Sequence, residues 1–166
     1  MSDIAQPGPH PARHLRWIRH AMLNDLSNSG SMAVLEQVMR FAGQRQRILA
    51  HNISNIATPG FDQRDVSIPG FQKALSDAID DRRARNGGSS GDLVLRESDE
   101  LRTDDNGHLQ IFAKTPSGGV LTHDKNNRNL ERLMQGLAEN AAVYRVASDL
   151  MRSRNDTLRV AISQRV

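Results

Sequence analysis

The residues best able to do chemistry here are six histidines, one acidic cluster and a scatter of serines, and none falls into a reactive pattern. His10, His14, His20, His51, His108 and His123 show no metal-ligand spacing such as HExxH. Asp104-Asp105-Asn106-Gly107 has the outline of a calcium loop. Counting back from its glycine puts Arg102 at the first ligand position, and Ala113 stands where the bidentate glutamate belongs. Cysteine is absent, which removes disulfides and thiolate metal sites. No GxSxG, phosphate-binding loop or strand-linked GxGxxG occurs. Asn52-Ile53-Ser54 matches a glycosylation sequon, but it lies inside a predicted helix and three-residue matches are common by chance. The expectation is a protein that is not an enzyme, with no cofactor, no metal and no small-molecule substrate.

The composition points to helices that need partners. The chain has 166 residues, enough for one ordinary domain. Apolar residues make up 37%, and the aromatics are only Trp17, Phe41, Phe61, Phe71, Phe112 and Tyr144. Large aromatic side chains normally supply much of a core's buried area, so long helices burying stripes against partners fit better. The formal charge is +3. Acidic residues are interleaved with the arginines, and the densest basic cluster, Arg82-Arg83-Ala84-Arg85, follows Asp80-Asp81 directly. That pattern reads as a solvated face, so nucleic acid is not expected. Residues 1–14 lack the apolar run of a classical leader, and no stretch is apolar enough to span a membrane.

The elements follow from periodicity. Residues 1–31 read as a disordered, proline-bearing extension with a short amphipathic helix at 14–26, where Leu15, Ile18, Met22 and Leu26 share a face. Residues 32–60 hold a strong helix to about residue 57. Its seam of Leu35, Met39, Ala42, Gln46, Leu49, Ile53 and Ile56 alternates spacings of four and three. Pro59-Gly60 stops it. Residues 61–125 form an irregular middle with a helix at 70–81, a flexible linker at 86–91 and strand candidates at 92–96, 108–113 and 120–122. Asn106-Gly107 suits a tight turn. Residues 126–166 hold the last helix, capped by Asn126 or Asn127 and running to about residue 164. Its stripe is Leu130, Met134, Leu137, Ala141, Tyr144, Ser148, Met151, Asn155, Leu158 and Ile162. The fold class expected is mainly α: terminal helices pairing antiparallel like a coiled coil, with a small β-containing insertion. The two helices are unequal, which predicts that part of the longer stripe meets another partner.

Residues 45–61 read Arg-Gln-Arg-Ile-Leu-Ala-His-Asn-Ile-Ser-Asn-Ile-Ala-Thr-Pro-Gly-Phe. This resembles the N-terminal signature of flagellar rod and hook proteins, in which a helix ends in an Asn-Ile-Ala-Asn-like segment followed by Thr-Pro-Gly and an aromatic. Ser54 replaces the usual alanine, and Ile56 stands where a small residue is common. Arg64-Asp65-Val66 with Phe71, Ala74 and Leu75 is similar to the proximal-rod FlgB family, as are Thr103 and His108-Leu109. Leu130-Glu131, Ala138-Glu139-Asn140, Tyr144, Leu158 and Ala161-Ile162 resemble its C-terminal helix. Arg128, Asn129 and Leu133 depart from its usual valine, aspartate and glutamate.

The resemblance implies a structural subunit of the proximal rod that polymerises through its terminal helices and transmits torque. It implies Asn52, Ile53, Asn55, Thr58, Pro59, Gly60 and Phe61 as an assembly turn. The implied partners are other copies, FlgC-type rod proteins, a FliE-type adaptor and a FliF-type membrane ring. It also implies export without a cleaved leader to the periplasmic rod of the basal body, and terminal helices that are largely disordered until assembly. Two alternatives stand beside it: another rod or hook subunit, or a basic helical adaptor binding membrane or nucleic acid through residues 13–26.

Overall fold

The computed structural model describes residues 30–86, 93–104, 108–115 and 127–163. Three helices and two short strands occur there: α1 (Ser31–Ser54), α2 (Ile68–Asn86), β1 (Leu101–Thr103), β2 (Leu109–Ile111) and α3 (Asn127–Ser163). The fold is mainly helical, and α1 packs along α3. The two run antiparallel, since Met39 meets Ser148 near one end and Leu49 lies beside Gly136 near the other. At 1.5 Å per residue, α1 is about 36 Å long and α3 about 56 Å. α3 therefore continues past the first turn of α1.

α1 is buried on two faces rather than one. Ala42, Gln46 and Leu49 face α3. About 100° around the helix axis, Val34, Val38 and Phe41 join the core formed with the middle of the chain. The ring of Phe41 stacks on Phe71 of α2, with centroids 4.0 Å apart and planes within 8°. Leu75, Ala78 and Ile79 continue the buried face of α2 at helical spacing. Val66, Leu93, Leu95, Leu101 and Leu109 close the same cluster. The insertion is thus not a separate appendage, because its apolar residues need α1 as a wall.

α2 begins earlier and ends later than its sequence pattern predicts. Ser67 caps it, its hydroxyl accepting from the Gly70 amide at 3.0 Å, and Pro69 is tolerated in the first turn, where amides have no helical partner. The helix continues through the arginine cluster to Asn86. Arg83 and Arg85 are exposed as expected of a solvated face, but Arg82 is 1% exposed. Its Nη1 donates to the Gly30 carbonyl at 3.1 Å, which ties the end of α2 to the start of α1.

The sheet also differs from expectation. Residues 93–96 form no strand with the described residues, although Leu93 and Leu95 are buried around an exposed Val94. The partner of β2 is Leu101–Thr103, antiparallel, with Leu101 opposite Ile111 and Thr103 opposite Leu109. The helix at 14–26, the strand at 120–122, the Asn106-Gly107 turn and most of the 86–91 linker lie outside the described residues.

Candidate functional site

The signature segment is a helix end, a turn and a returning stretch of chain held by side-chain amides. α1 ends at Ser54 rather than near residue 57. Asn55 closes it: its amide N–H and its Nδ2 both donate to the His51 carbonyl, at 3.1 and 2.9 Å. Ile56 therefore falls in the turn, beyond the helical stripe to which its spacing assigned it. The Phe61 amide donates to the Thr58 carbonyl at 3.2 Å, and Gly60 has φ +74°. Proline at the second position and a positive-φ glycine at the third make a type II turn. Thr58, Pro59 and Gly60 are exposed. Phe61 folds back so that its ring lies 5.4 Å from the His51 ring.

Asn52 does something that sequence spacing does not reveal. It is 1% exposed and makes a reciprocal pair with the backbone of Arg64. Its Nδ2 donates to the Arg64 carbonyl at 2.5 Å, and its Oδ1 accepts from the Arg64 amide at 3.1 Å. The side-chain amide thus takes the place of a β-strand residue. Gln44 repeats the device two turns earlier: its Nε2 donates to the Leu109 carbonyl, and its Oε1 accepts from the Ile111 amide at 3.1 Å. Between them, Arg45 makes a bidentate pair with Asp65, Nε to Oδ1 at 3.0 Å and Nη2 to Oδ2 at 2.8 Å. Asp65 in turn bridges Lys114 through two backbone bonds of 3.0 Å. One face of α1 therefore supplies hydrogen-bond partners to the backbone of the returning stretch at Arg64 and of β2. Gln44 and Arg45 were absent from the sequence-derived site, since an amide or guanidinium on a helix normally reads as solvent-facing.

The faces of the terminal helices are more revealing still. On α1, Leu35, Ala42 and Leu49 are buried, and Met39 and Ile53 are half-buried. On α3, the face packed inward is Leu133, Gly136, Asn140, Val143, Ala147, Leu150 and Arg154, the buried and half-buried positions at alternating spacings of three and four. The stripe that periodicity selects lies about one residue, or 100°, around the helix. Leu130, Met134, Ala141, Tyr144 and Leu158 are exposed, while Leu137 and Met151 are half-buried at the boundary. The side chain of Ile162 is outside the described residues. Met134 is 56% and Tyr144 44% exposed.

The inner stripe wins the intramolecular contact because it is small and carries the right polar partner. Ala42 and Ala147, both almost fully buried, let the helices pack closely. Buried Asn140 donates through Nδ2 to the Ala42 carbonyl and to Gln46 Oε1, both at 2.8 Å. A polar pair of this kind fixes register in helix pairs. α3 thus carries two adjacent apolar stripes, one spent on α1 and one facing solvent.

Among the described residues, no cluster of three or more His, Asp or Glu is arranged to hold a metal. No described helix is long and apolar enough to cross a membrane.

Comparison with known proteins gives two flagellar matches. The chain is 27% identical over 115 residues to the flagellar basal body rod protein FlgB of Yersinia enterocolitica, covering 69% of this chain and 80% of that protein. It is 25% identical over 115 residues, with the same coverage, to FlgB of Yersinia ruckeri. No family model matches the chain.

Proposed function

We propose that this chain is a FlgB-like structural subunit of the proximal rod of a bacterial flagellar basal body. The observation that carries the reading is the double stripe of α3, taken with the similarity to two FlgB proteins. Leu130, Met134, Leu137, Ala141 and Tyr144 form an apolar strip beside a helix pair that is already closed by the inner stripe. Burying such a strip against neighbours supplies about 25 cal/mol per Å². Contacts between unlike surfaces of successive subunits build an open helical assembly. The exposed Thr58-Pro59-Gly60 turn is the second contact in this reading, rigid enough to present one shape to a neighbour. The neighbours are other copies, FlgC-type rod proteins, the FliE-type adaptor and the FliF-type ring. The role is mechanical: joining the membrane ring to the distal rod and carrying torque, after export without a cleaved leader.

The test is mass spectrometry of detergent-extracted hook–basal bodies from cells carrying either the wild-type chain or Met134→Asp. The wild-type chain is expected in complete basal bodies. Met134→Asp is expected to fold normally, because the side chain is mostly in water already, and to be depleted from basal bodies at least tenfold. Absence of the wild-type chain from clean, complete basal bodies overturns the rod assignment. Normal incorporation of Met134→Asp overturns the role of the outer stripe.

A further inference from the structure

Three elements meet at the end of the molecule where α1 begins. α2 runs antiparallel to α1, because Phe71 stacks on Phe41 and Arg82 reaches the Gly30 carbonyl. α3 passes the same end. Met39 meets Ser148, so α1, which starts at Ser31, begins level with about residue 156 of α3. The chain that precedes Gly30 joins the described residues at this point.

This end is built to receive an anion. The N-cap of α1 is Gly30, which makes no side-chain cap bond, and the first turn carries no acid. The amides of that turn have no partner within the helix, and the helix dipole is positive there. Ser31 is 3% exposed, and its hydroxyl makes no hydrogen bond to the described residues. Arg82, held on the adjacent Gly30 carbonyl, is 1% exposed. Burying a guanidinium so deeply is costly unless an anion balances its charge. The acids on its own helix serve other cations: Asp77 pairs with Lys73, Asp80 with Arg83 and Asp81 with Arg96. Upstream of Gly30 the nearest acid is Asp25. Five residues of chain span up to about 17 Å, which is ample for a return to Arg82.

An apolar seat lies alongside. Leu158 stands five whole turns beyond Asn140, so it projects from the side of α3 that packs on α1 further back. The outer stripe, with its shorter period, has drifted round to that side by then. Met151, one heptad earlier, already packs against the core. Leu158 lies past the first residue of α1 and is 46% exposed.

We infer that residues 22–29 fold onto this end as its cap, with the Asp25 carboxylate between Arg82 and the first turn of α1 and with Leu26 on Leu158. The occupant is this chain's own N-terminal segment, selected by charge and by its direct connection to Gly30. The carboxylate accepts from the guanidinium and from the uncapped amides, which ties α1, α2 and the overhang of α3 to one another. The inference concerns the single chain and does not rest on the rod reading.

A double-mutant cycle in urea unfolding of the full-length chain tests the charge contact. Asp25→Asn is expected to lower the folding equilibrium constant by about tenfold or more, because it leaves Arg82 buried without its anion. In an Arg82→Met background the same change is expected to act by less than about twofold. Equal effects in the two backgrounds, or no effect of Asp25→Asn on the wild-type chain, overturn the inference. Disulfide formation gives a second readout should Arg82→Met fail to fold, and the chain has no cysteine of its own. Leu26→Cys with Leu158→Cys is expected to close within one chain about tenfold faster, or more, than Leu26→Cys with Val160→Cys. Val160 is equally exposed but lies on the opposite side of α3. Equal rates, or bonds formed only between chains, overturn the inference as well.

Discussion

Asn52→Ala and Asn52→Asp together test whether a helix side chain is standing in for a strand. The amide of Asn52 donates to one backbone group of Arg64 and accepts from the other. Alanine removes both bonds, each worth about 1 kcal/mol net, and leaves a small void and partly shielded backbone groups. The expected loss is about 2–3 kcal/mol, a large share of the roughly 5–15 kcal/mol that holds a domain together. For a chain of this size it corresponds to a fall in Tm of about 5–10 °C. Aspartate keeps the shape and the acceptor but turns the donor into an oxygen facing the Arg64 carbonyl. At neutral pH it also places a buried charge near the carbonyl end of α1, where the helix dipole opposes it. Asn52→Asp is therefore expected to cost at least as much as Asn52→Ala at pH 7. Burial and the dipole both raise the new carboxyl's pKa. As pH falls through that raised value, the protonated acid can donate to the Arg64 carbonyl, and the gap to wild type narrows. Urea unfolding followed by circular dichroism at pH 7 and pH 4.5 measures this, with the m-value required to stay constant. An Asn52→Ala loss under about 0.5 kcal/mol, or an Asn52→Asp deficit that does not shrink at the lower pH, refutes the reasoning.

Three further outcomes follow from the geometry. Gly136→Ala should stabilise the chain by about 0.5–1 kcal/mol through helix propensity, because an added Cβ would meet Arg45 Nη2 at 3.7 Å and Leu49 methyls at 3.9 and 4.0 Å, ordinary contacts; urea midpoints read the change. Gly60→Ala should destabilise by about 1–2 kcal/mol, all of it from backbone conformation, since φ is +74° and no atom lies within 4 Å of the new Cβ. The Asp99 carboxyl is held below the usual carboxylate range by its hydrogen bond from Lys114 and by that ammonium's charge. A depressed pKa stabilises the fold above the unfolded value and loses that contribution as pH falls through the folded one. Lys114→Met should therefore move the Asp99 titration upward in an NMR pH series.

Much of the fold was legible before any coordinates. The four-and-three spacing placed α1 and α3 and made their antiparallel pairing the natural outcome, and the structure has that pairing. Thr58-Pro59-Gly60-Phe61 announced a stop, and the type II turn follows from proline's fixed φ and glycine's access to positive φ. The strand partner of β2 was missed because Leu93-Val94-Leu95 alternates as a strand should but forms no strand with the described residues. Leu101–Thr103 is too short to carry a pattern of its own.

What local sequence determined about this protein is where its helices run, that each is amphipathic, and the absence of any recognisable catalytic pattern. What only the tertiary structure decided is which face meets which partner. On α3 the stripes through Leu130 and Met134 and through Leu133 and Asn140 are both apolar enough to be a seam. Hydrophobicity alone favours the first, with its larger side chains. The second is chosen because the small, fully buried Ala147 lets the helices pack closely and because Asn140 finds the Ala42 carbonyl and Gln46 across the interface. Gln44, Asn52 and Arg82 are likewise unremarkable polar residues until the chain brings their backbone partners to them. Periodicity is a property of one helix, whereas complementarity belongs to a pair, and no single helix contains the shape of its partner.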